Sequence, residues 1–412
     1  MDREVLELEQ RELARQNGGI ELIASENYPS VDVRSAAGSI FTAKYAEGYP
    51  HRRYYGGCSV VDELEELAIE RCKKLFGVRY ANVQPHSGSQ ANFAAYRALL
   101  SPGDKILSLT LNDGGHLTHG SSVSFSANTY SFAFYPLGDD SRLDYDIIRK
   151  RLYEEKPNLL LAGFSAYPFE IDFRKMRDLV DEYNQATGSS CAFMVDMAHF
   201  AGMVAAKMTM NPCDYADIVT STTHKTLRGP RGGLILSNRE DLARKIDSAV
   251  FPYTQGGPLE HIIAAKAVAF KEASAPEFRE YYRHVLENTK ACNDELHRLG
   301  AVVSGTQTHL FLMNVLASFS LNGMEAQELL EKAGITVNKN MLHGDTLPPK
   351  LASGVRVGFA AVTSRGCTKD DAEAIGRIIF DVLKGGEAVL PEAKKRVQEI
   401  VKRWADVSTL RY

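Results

Sequence analysis

"SCAFMVDM" (Ser190–Met197) is a continuous apolar run closed by one carboxylate. A strand with one wet face alternates polar and apolar residues. A strand apolar on both faces is covered on both sides, as in parallel sheets. "PNLLLAGFS" (157–165) has the same character. Around these two, "YANVQP" (80–85), "DKILSLTL" (104–111), "ADIVTSTT" (216–223) and "GGLILSN" (232–238) read as further strands. "DELEELAIERCKKLFG" (62–77) and "SQANFAAYRALLSPG" (89–103) carry apolar residues at helical spacing and end on Gly or Pro-Gly. Strand and helix alternating over this length predict an α/β fold with a mostly parallel sheet.

After Pro258 long helical patterns take over, followed by strand candidates at 309–316, 335–340 and 354–359 and helices at 369–385 and 390–405. The expected organisation is an N-terminal helical arm (1–30), a large α/β domain (31–280) and a smaller α+β domain (281–412). The 412 residues suit more than one lobe. A net charge of −4 without long single-sign runs argues against a nucleic-acid protein. No apolar run is long enough for a membrane span, and the charged start lacks a signal-peptide core, so a cytoplasmic location is expected. Six scattered cysteines form no CxxC pair and are read as reduced. No HExxH or paired His/Cys spacing is present, and no metal site is expected.

In parallel α/β sheets, ligands gather beyond the carboxyl ends of strands. After 80–85 comes "HSGSQAN" (86–92), Ser-Gly-Ser opening a helix. It reads as an anion site or as a plain serine cap. After 104–111 comes "NDGGHLTHG" (112–120), where two glycines let His116 lie over a flat ligand, or hold a structural histidine. After 190–195 comes "DMAHFAG" (196–202). Asp196, buried at a strand end, needs a partner; a protonated ring nitrogen is one, and capping the next turn is another. After 216–221 comes Thr222-Thr223-His224-Lys225, with Arg228 and Arg231 beyond. An ordinary lysine is protonated at neutral pH and a poor nucleophile, whereas one bound to an aldehyde in a desolvated site is activated. A basic surface loop is the other reading. A phosphate cup, a stacking His, a carboxylate for a pyridinium nitrogen and a Schiff-base Lys, each at a strand end, are what pyridoxal 5′-phosphate (PLP) requires.

Arg356 in "GVRVG" can clamp an α-carboxylate, or is a surface strand arginine. "KYAEGYPHRRYYGG" (44–57) sets Glu47 among Tyr45, Tyr49, Tyr54 and Tyr55. An aromatic loop with one carboxylate suits a flat cosubstrate and a proton transfer; it also suits an oligomer contact.

These segments, with "ELIASENYPS", "FSAYPFEIDF", "AVFPYTQGGP" and "ITVNKN", occur in collinear order and resemble the serine hydroxymethyltransferase family. The resemblance implies PLP-dependent fold type I, like aspartate aminotransferase, with a mostly parallel seven-stranded sheet and a smaller α+β domain. It implies reversible transfer of the serine hydroxymethyl group to tetrahydrofolate, through an aldimine and a quinonoid. By the matching motifs, Lys225 would hold PLP, Asp196 would face the pyridinium nitrogen and His116 would stack on the ring. Ser165 and His199 would contact its oxygen side. Gly88, Ser89 and His224 would serve the phosphate, with Gly256, Gly257 and Tyr45 supplied by a partner subunit. Thr222 would stand beside the lysine. Arg356, Ser25, Tyr55 and His199 would bind the amino acid, and Glu47 would be the acid/base. Folate would lie near Glu47, Tyr54, Leu111, Gly115, Leu117 and Asn340. Leu259 stands where tetrameric members often carry His, which favours a homodimer. "GFAA" in place of "GTPA" after the arginine strand, with His343 and Lys350 in the loop "NMLHGDTLPPKLASG" before that strand, departs from the family pattern. A folate-independent β-hydroxy amino acid aldolase and an α-methylserine hydroxymethyltransferase are the alternatives. A PLP-binding scaffold without turnover is a further one.

Overall fold

The computed structural model describes residues 2–412. It divides into two compact units. One comprises Asp32–Ser165 and Glu170–Arg279; the other comprises the chain up to Val31, Ala166–Phe169 and Glu280–Tyr412.

The first unit is built on a seven-stranded sheet. Its strands are β1 (Tyr80–Asn82), β2 (Lys105–Leu109), β3 (Ser131–Tyr135), β4 (Leu159–Gly163), β5 (Ala192–Asp196), β6 (Ile218–Thr222) and β7 (Gly233–Ser237). The spatial order is β1-β7-β6-β5-β4-β2-β3. From β6 to β3 every pairing is parallel. β7 runs antiparallel to both neighbours. Leu159, Leu160, Phe193, Met194 and Val195 have no exposed surface, as a strand covered on both faces requires. Truncating Leu160 to Ala would cost about 2–5 kcal/mol through lost burial and the cavity left behind.

Helices α1 (Ser59–Phe76) and α2 (Gly88–Leu99) follow the sequence signals. α1 stops at Gly77, whose φ of 69° lies in the left-handed region that glycine adopts without penalty. α2 starts at Ser87, whose hydroxyl accepts the Gln90 N–H at 3.2 Å. Helix α3 (Glu260–Ala273) packs on α1. Gly163 ends β4 at a φ of 123°, and a Cβ there would lie 2.2 Å from the Asp196 carbonyl. Only glycine lets β5 deliver Asp196 so close to β4.

The second unit has a four-stranded antiparallel sheet. Its strands are β8 (Val302–Val303), β9 (Leu310–Asn314), β10 (Asn338–Asn340) and β11 (Gly354–Gly358), in the order β8-β9-β11-β10. Phe311, Val355, Val357, Ile375 and Ile379 form its core. Phe359, the departure after the arginine strand, is fully buried in that core. His343 and Lys350 are exposed. The N-terminal helix Arg3–Gly18 buries none of its residues, but its end is tied down. Ile20–Glu21 pair in parallel with Ile335–Thr336, and the Arg365 guanidinium donates to the Gln16, Asn17 and Gly19 carbonyls. Among the described residues no helix is long and apolar enough to cross a membrane.

Candidate active site

Gly88, His116, Ser165, Asp196 and Thr222–Lys225 lie at or just beyond the carboxyl ends of strands of the seven-stranded sheet. Asp196 closes β5 and is buried. Its Oδ2 accepts from Asn92 Nδ2 at 2.9 Å and faces His119 Nε2 at 3.1 Å; its Oδ1 accepts from the Ala198 N–H at 3.0 Å. His119 Nδ1 accepts from the His116 N–H at 3.3 Å. With Nδ1 accepting, His119 Nε2 carries the proton donated to Asp196. Burial alone would push the Asp196 carboxyl up. The hydrogen bond from His119, then the field of the His116 ring and the hydrogen bond from Asn92, outweigh it and hold the group well below the usual carboxylate range.

A second chain of bonds orients His116. Thr220 Oγ1 donates to Asn92 Oδ1 at 2.6 Å, and Asn92 Nδ2 donates to Thr118 Oγ1 at 2.8 Å. That hydroxyl, having accepted once, donates to His116 Nδ1 at 2.8 Å. Burial, reinforced by His119, pushes His116 down to about 4, so its ring is neutral at neutral pH. His116, His119 and Asp196 bring ligand-type atoms within 4.8 Å of one another. His116 Nδ1, both His119 nitrogens and both Asp196 oxygens are already engaged in the bonds above. Sequence reading singled out Asp196 and His116 but missed His119, Asn92 and Thr118. The signal for His119 was there: a second imidazole three residues after the first in "GGHLTHG".

Lys225 follows β6 and is buried. Thr226 behind it donates to the His199 carbonyl at 3.1 Å and accepts the Gly202 N–H at 2.9 Å, which pins the "DMAHFAG" turn to the lysine loop. Ser165 donates its N–H to Gly114 at 2.7 Å, joining the turn after β4 to the glycine pair before His116. Gly88 faces Thr222: a Cβ on Gly88 would meet Thr222 Cγ2 at 2.6 Å. Thr223, by contrast, spends its hydroxyl on the Pro230 carbonyl at 2.6 Å. Arg228 is buried over the Phe278 ring at 5.1 Å, and Arg231 is exposed.

Thr222 Oγ1 and His224 Nδ1 are buried without a hydrogen-bond partner. Burial first, then the charges of Arg231, Lys225 and Lys266, push His224 down to about 3. Orphaned polar atoms beside a helix start that has no room for a Cβ suit an anion, and a low-pKa carboxylate suits a ring N–H. The residues present therefore fit PLP.

Tyr45, Tyr55, Glu47, Gly256 and Gly257 form another group in the same unit. Tyr45 OH donates to Glu47 Oε1 at 3.3 Å, and the Tyr45 and Tyr55 rings meet edge-on at 5.3 Å. A Cβ on Gly256 would lie 3.3 Å from Glu47 Oε1, and one on Gly257 3.3 Å from the Tyr45 ring. Gln255 anchors this segment through its bond to the Gln84 carbonyl at 2.8 Å. Tyr54 packs edge-on against Phe251, while Leu111 and Leu117 are exposed.

In the other unit, Arg356 sits at the middle of β11 and is buried. Its Nε donates to Asn338 Oδ1 at 3.2 Å and its Nη2 reaches Ser25 Oγ at 3.5 Å. Burial pushes its pKa down to about 10, which leaves a guanidinium charged at neutral pH. Asn340, on β10, turns its amide to the Met341 carbonyl at 2.6 Å. Compared with protein-family models, the chain matches the one described as serine hydroxymethyltransferase over residues 1–379.

Proposed function

The chain belongs to the serine hydroxymethyltransferase family of PLP-dependent transferases, and on that premise we propose that it moves the serine hydroxymethyl group to tetrahydrofolate. The observation that carries the reading is the ionised, triply hydrogen-bonded Asp196 in the same unit as the buried Lys225. PLP bound there would supply a conjugated electron sink. Everything else falls to the residues of this chain. Lys225 holds the cofactor carbonyl carbon. Asp196, kept anionic by His119 and Asn92, keeps a proton on the ring nitrogen. His116, neutral and fixed by Thr118, covers the ring. Ser165 and His199 take the ring oxygen, and Gly88, Ser89, Thr222 and His224 receive the phosphate.

Arg356, with Ser25, Tyr55 and His199, binds the amino acid and fixes its carboxylate, which sets the scissile bond relative to the ring. Glu47 moves the proton at the serine hydroxyl. Tyr54, Leu111, Gly115, Leu117 and Asn340 bind folate. Tyr45, Gly256 and Gly257, together with the Glu47 and Tyr55 they touch, act at the site of a second copy in a homodimer, the first three on its phosphate.

Borohydride treatment of the PLP-loaded protein, followed by peptide mass analysis, is expected to leave the cofactor fixed on Lys225. Serine cleavage is expected to accelerate with tetrahydrofolate. Equal rates with and without folate would replace this reading with a folate-independent aldolase.

A further inference from the structure

Lys266 is the least expected side chain of the first unit. It lies in "IIAAKAVAF" (262–270), an otherwise apolar stretch of α3, and is 1% exposed. Its ammonium donates to three carbonyls: Val83 at 2.6 Å, Gly233 at 2.8 Å and Pro85 at 3.1 Å. Three N–H groups meet three acceptors, so the ammonium is saturated, and none of the three is a carboxylate. Burying a cation without a counter-ion is costly, and a Leu or Met of similar volume would avoid that cost. Burial pushes its pKa down to about 7, with Cys72 and Glu65 opposing.

The three carbonyls belong to the two loops that meet at the phosphate end. Val83 and Pro85 lie between β1 and the Ser87–Ser89 start of α2. Gly233 opens β7, at the end of the loop that carries Lys225. The loops also bond directly, Gly233 N–H to the Pro85 carbonyl at 2.9 Å. Gly232 makes room for the lysine: a Cβ there would lie 2.5 Å from Lys266 Cε. The field of Lys266 reaches both His224 and His86, on either side of the cup.

We propose that Lys266 is a positioning residue for the phosphate end of the cofactor, clamping the Ser87–Ser89 and Thr222–Lys225 loops together and lending its charge to the dianion. The proposal rests on the PLP reading above. A residue needed only for folding would serve any ligand of the site equally. A residue acting on the phosphate distinguishes PLP from pyridoxal, which lacks it.

The test titrates cofactor-stripped wild type, Lys266→Gln and Gly232→Ala with PLP and with pyridoxal, followed by visible absorbance. Lys266→Gln is expected to weaken PLP about 10- to 100-fold while changing pyridoxal by less than about 3-fold. Gly232→Ala keeps the charge but displaces the ammonium, and is expected to follow the same pattern if Lys266→Gln does not fold. Inorganic phosphate should raise the melting temperature of stripped wild type more than that of either variant. Equal losses for PLP and pyridoxal, or no loss for either, would overturn the role of Lys266 while borohydride still labels Lys225. Failure of wild type to be labelled at Lys225 by either aldehyde would overturn the PLP reading and this proposal with it.

Discussion

Asp196 and His119 face each other at 3.1 Å, carboxylate oxygen to ring Nε2, the first closing β5 and the second in the turn beyond β2. The pair lets a fully buried carboxylate stay ionised. His119→Ala removes the group that does most to lower the Asp196 pKa. The folded-state pKa of Asp196 lies below its unfolded value, so its contribution is present above about 4 and is lost as pH falls through the folded pKa. With His119 gone, that loss begins at higher pH. His119→Ala is expected to unfold in acid at higher pH than wild type, and to lose about 1–3 kcal/mol in urea at pH 7. Coincident acid transitions would show that His119 does not hold the carboxylate.

Gly88 opens α2 against Thr222, with no room for a Cβ. Gly88→Ala pushes the Thr222 methyl, and with it the buried hydroxyl offered to the phosphate. Affinity for PLP is expected to drop about 10-fold or more, with a stability change within about 1 kcal/mol because Ala favours a helix. Absorbance titration of stripped protein and a urea curve separate the two effects. Unchanged affinity would remove Gly88 from the cup.

The strands around Lys225 and Asp196 were legible because buried parallel strands are apolar on both faces. The runs read at 157–165 and 190–197 fold as Leu159–Gly163 and Ala192–Asp196. The edge strand Ser131–Tyr135 was not read: "SFAFY" leaves one side of the sheet, and Ser131 is exposed. The antiparallel direction of Gly233–Ser237 was equally hidden, since direction follows from pairing and not from composition. Within the site, strand-end residues could be read from position alone. Asn92 could not, because it projects from the buried face of a helix and its role exists only once Asp196 and Thr118 are brought beside it. Lys266 was invisible for the same reason.

Arg356 presents a planar guanidinium fixed by Asn338 on the neighbouring strand. Arg356→Lys keeps the charge but loses the fork that grips a carboxylate at two points. Glycine binding to the loaded protein is expected to weaken about 30- to 100-fold, a cost of about 2–3 kcal/mol. Cofactor content should not change. The dissociation constant for glycine, read from its spectral change, measures this, and an unaltered constant would place the amino acid carboxylate elsewhere.

Glu260 opens α3 with 1% of its surface exposed and neither carboxyl oxygen hydrogen-bonded. Arg53 is 4.0 Å away and already committed to Glu65 at 2.7 Å and Asp62 at 2.8 Å. Burial first, and then the charge of Glu65, push Glu260 up to about 8. The folded protein therefore keeps a proton that the unfolded chain releases near about 4.3. Stability from this group is full below that value and declines as pH rises through about 8, because the native state binds more protons than the unfolded one. Glu260→Gln carries no ionisable proton and loses that slope. The variant and wild type are expected to differ little near pH 5, and at pH 9 the variant should be more stable by about 1–3 kcal/mol. Urea unfolding across that range checks the sign. Parallel pH profiles would mean that Glu260 is ionised in the folded protein and that Arg53 serves all three acids at once.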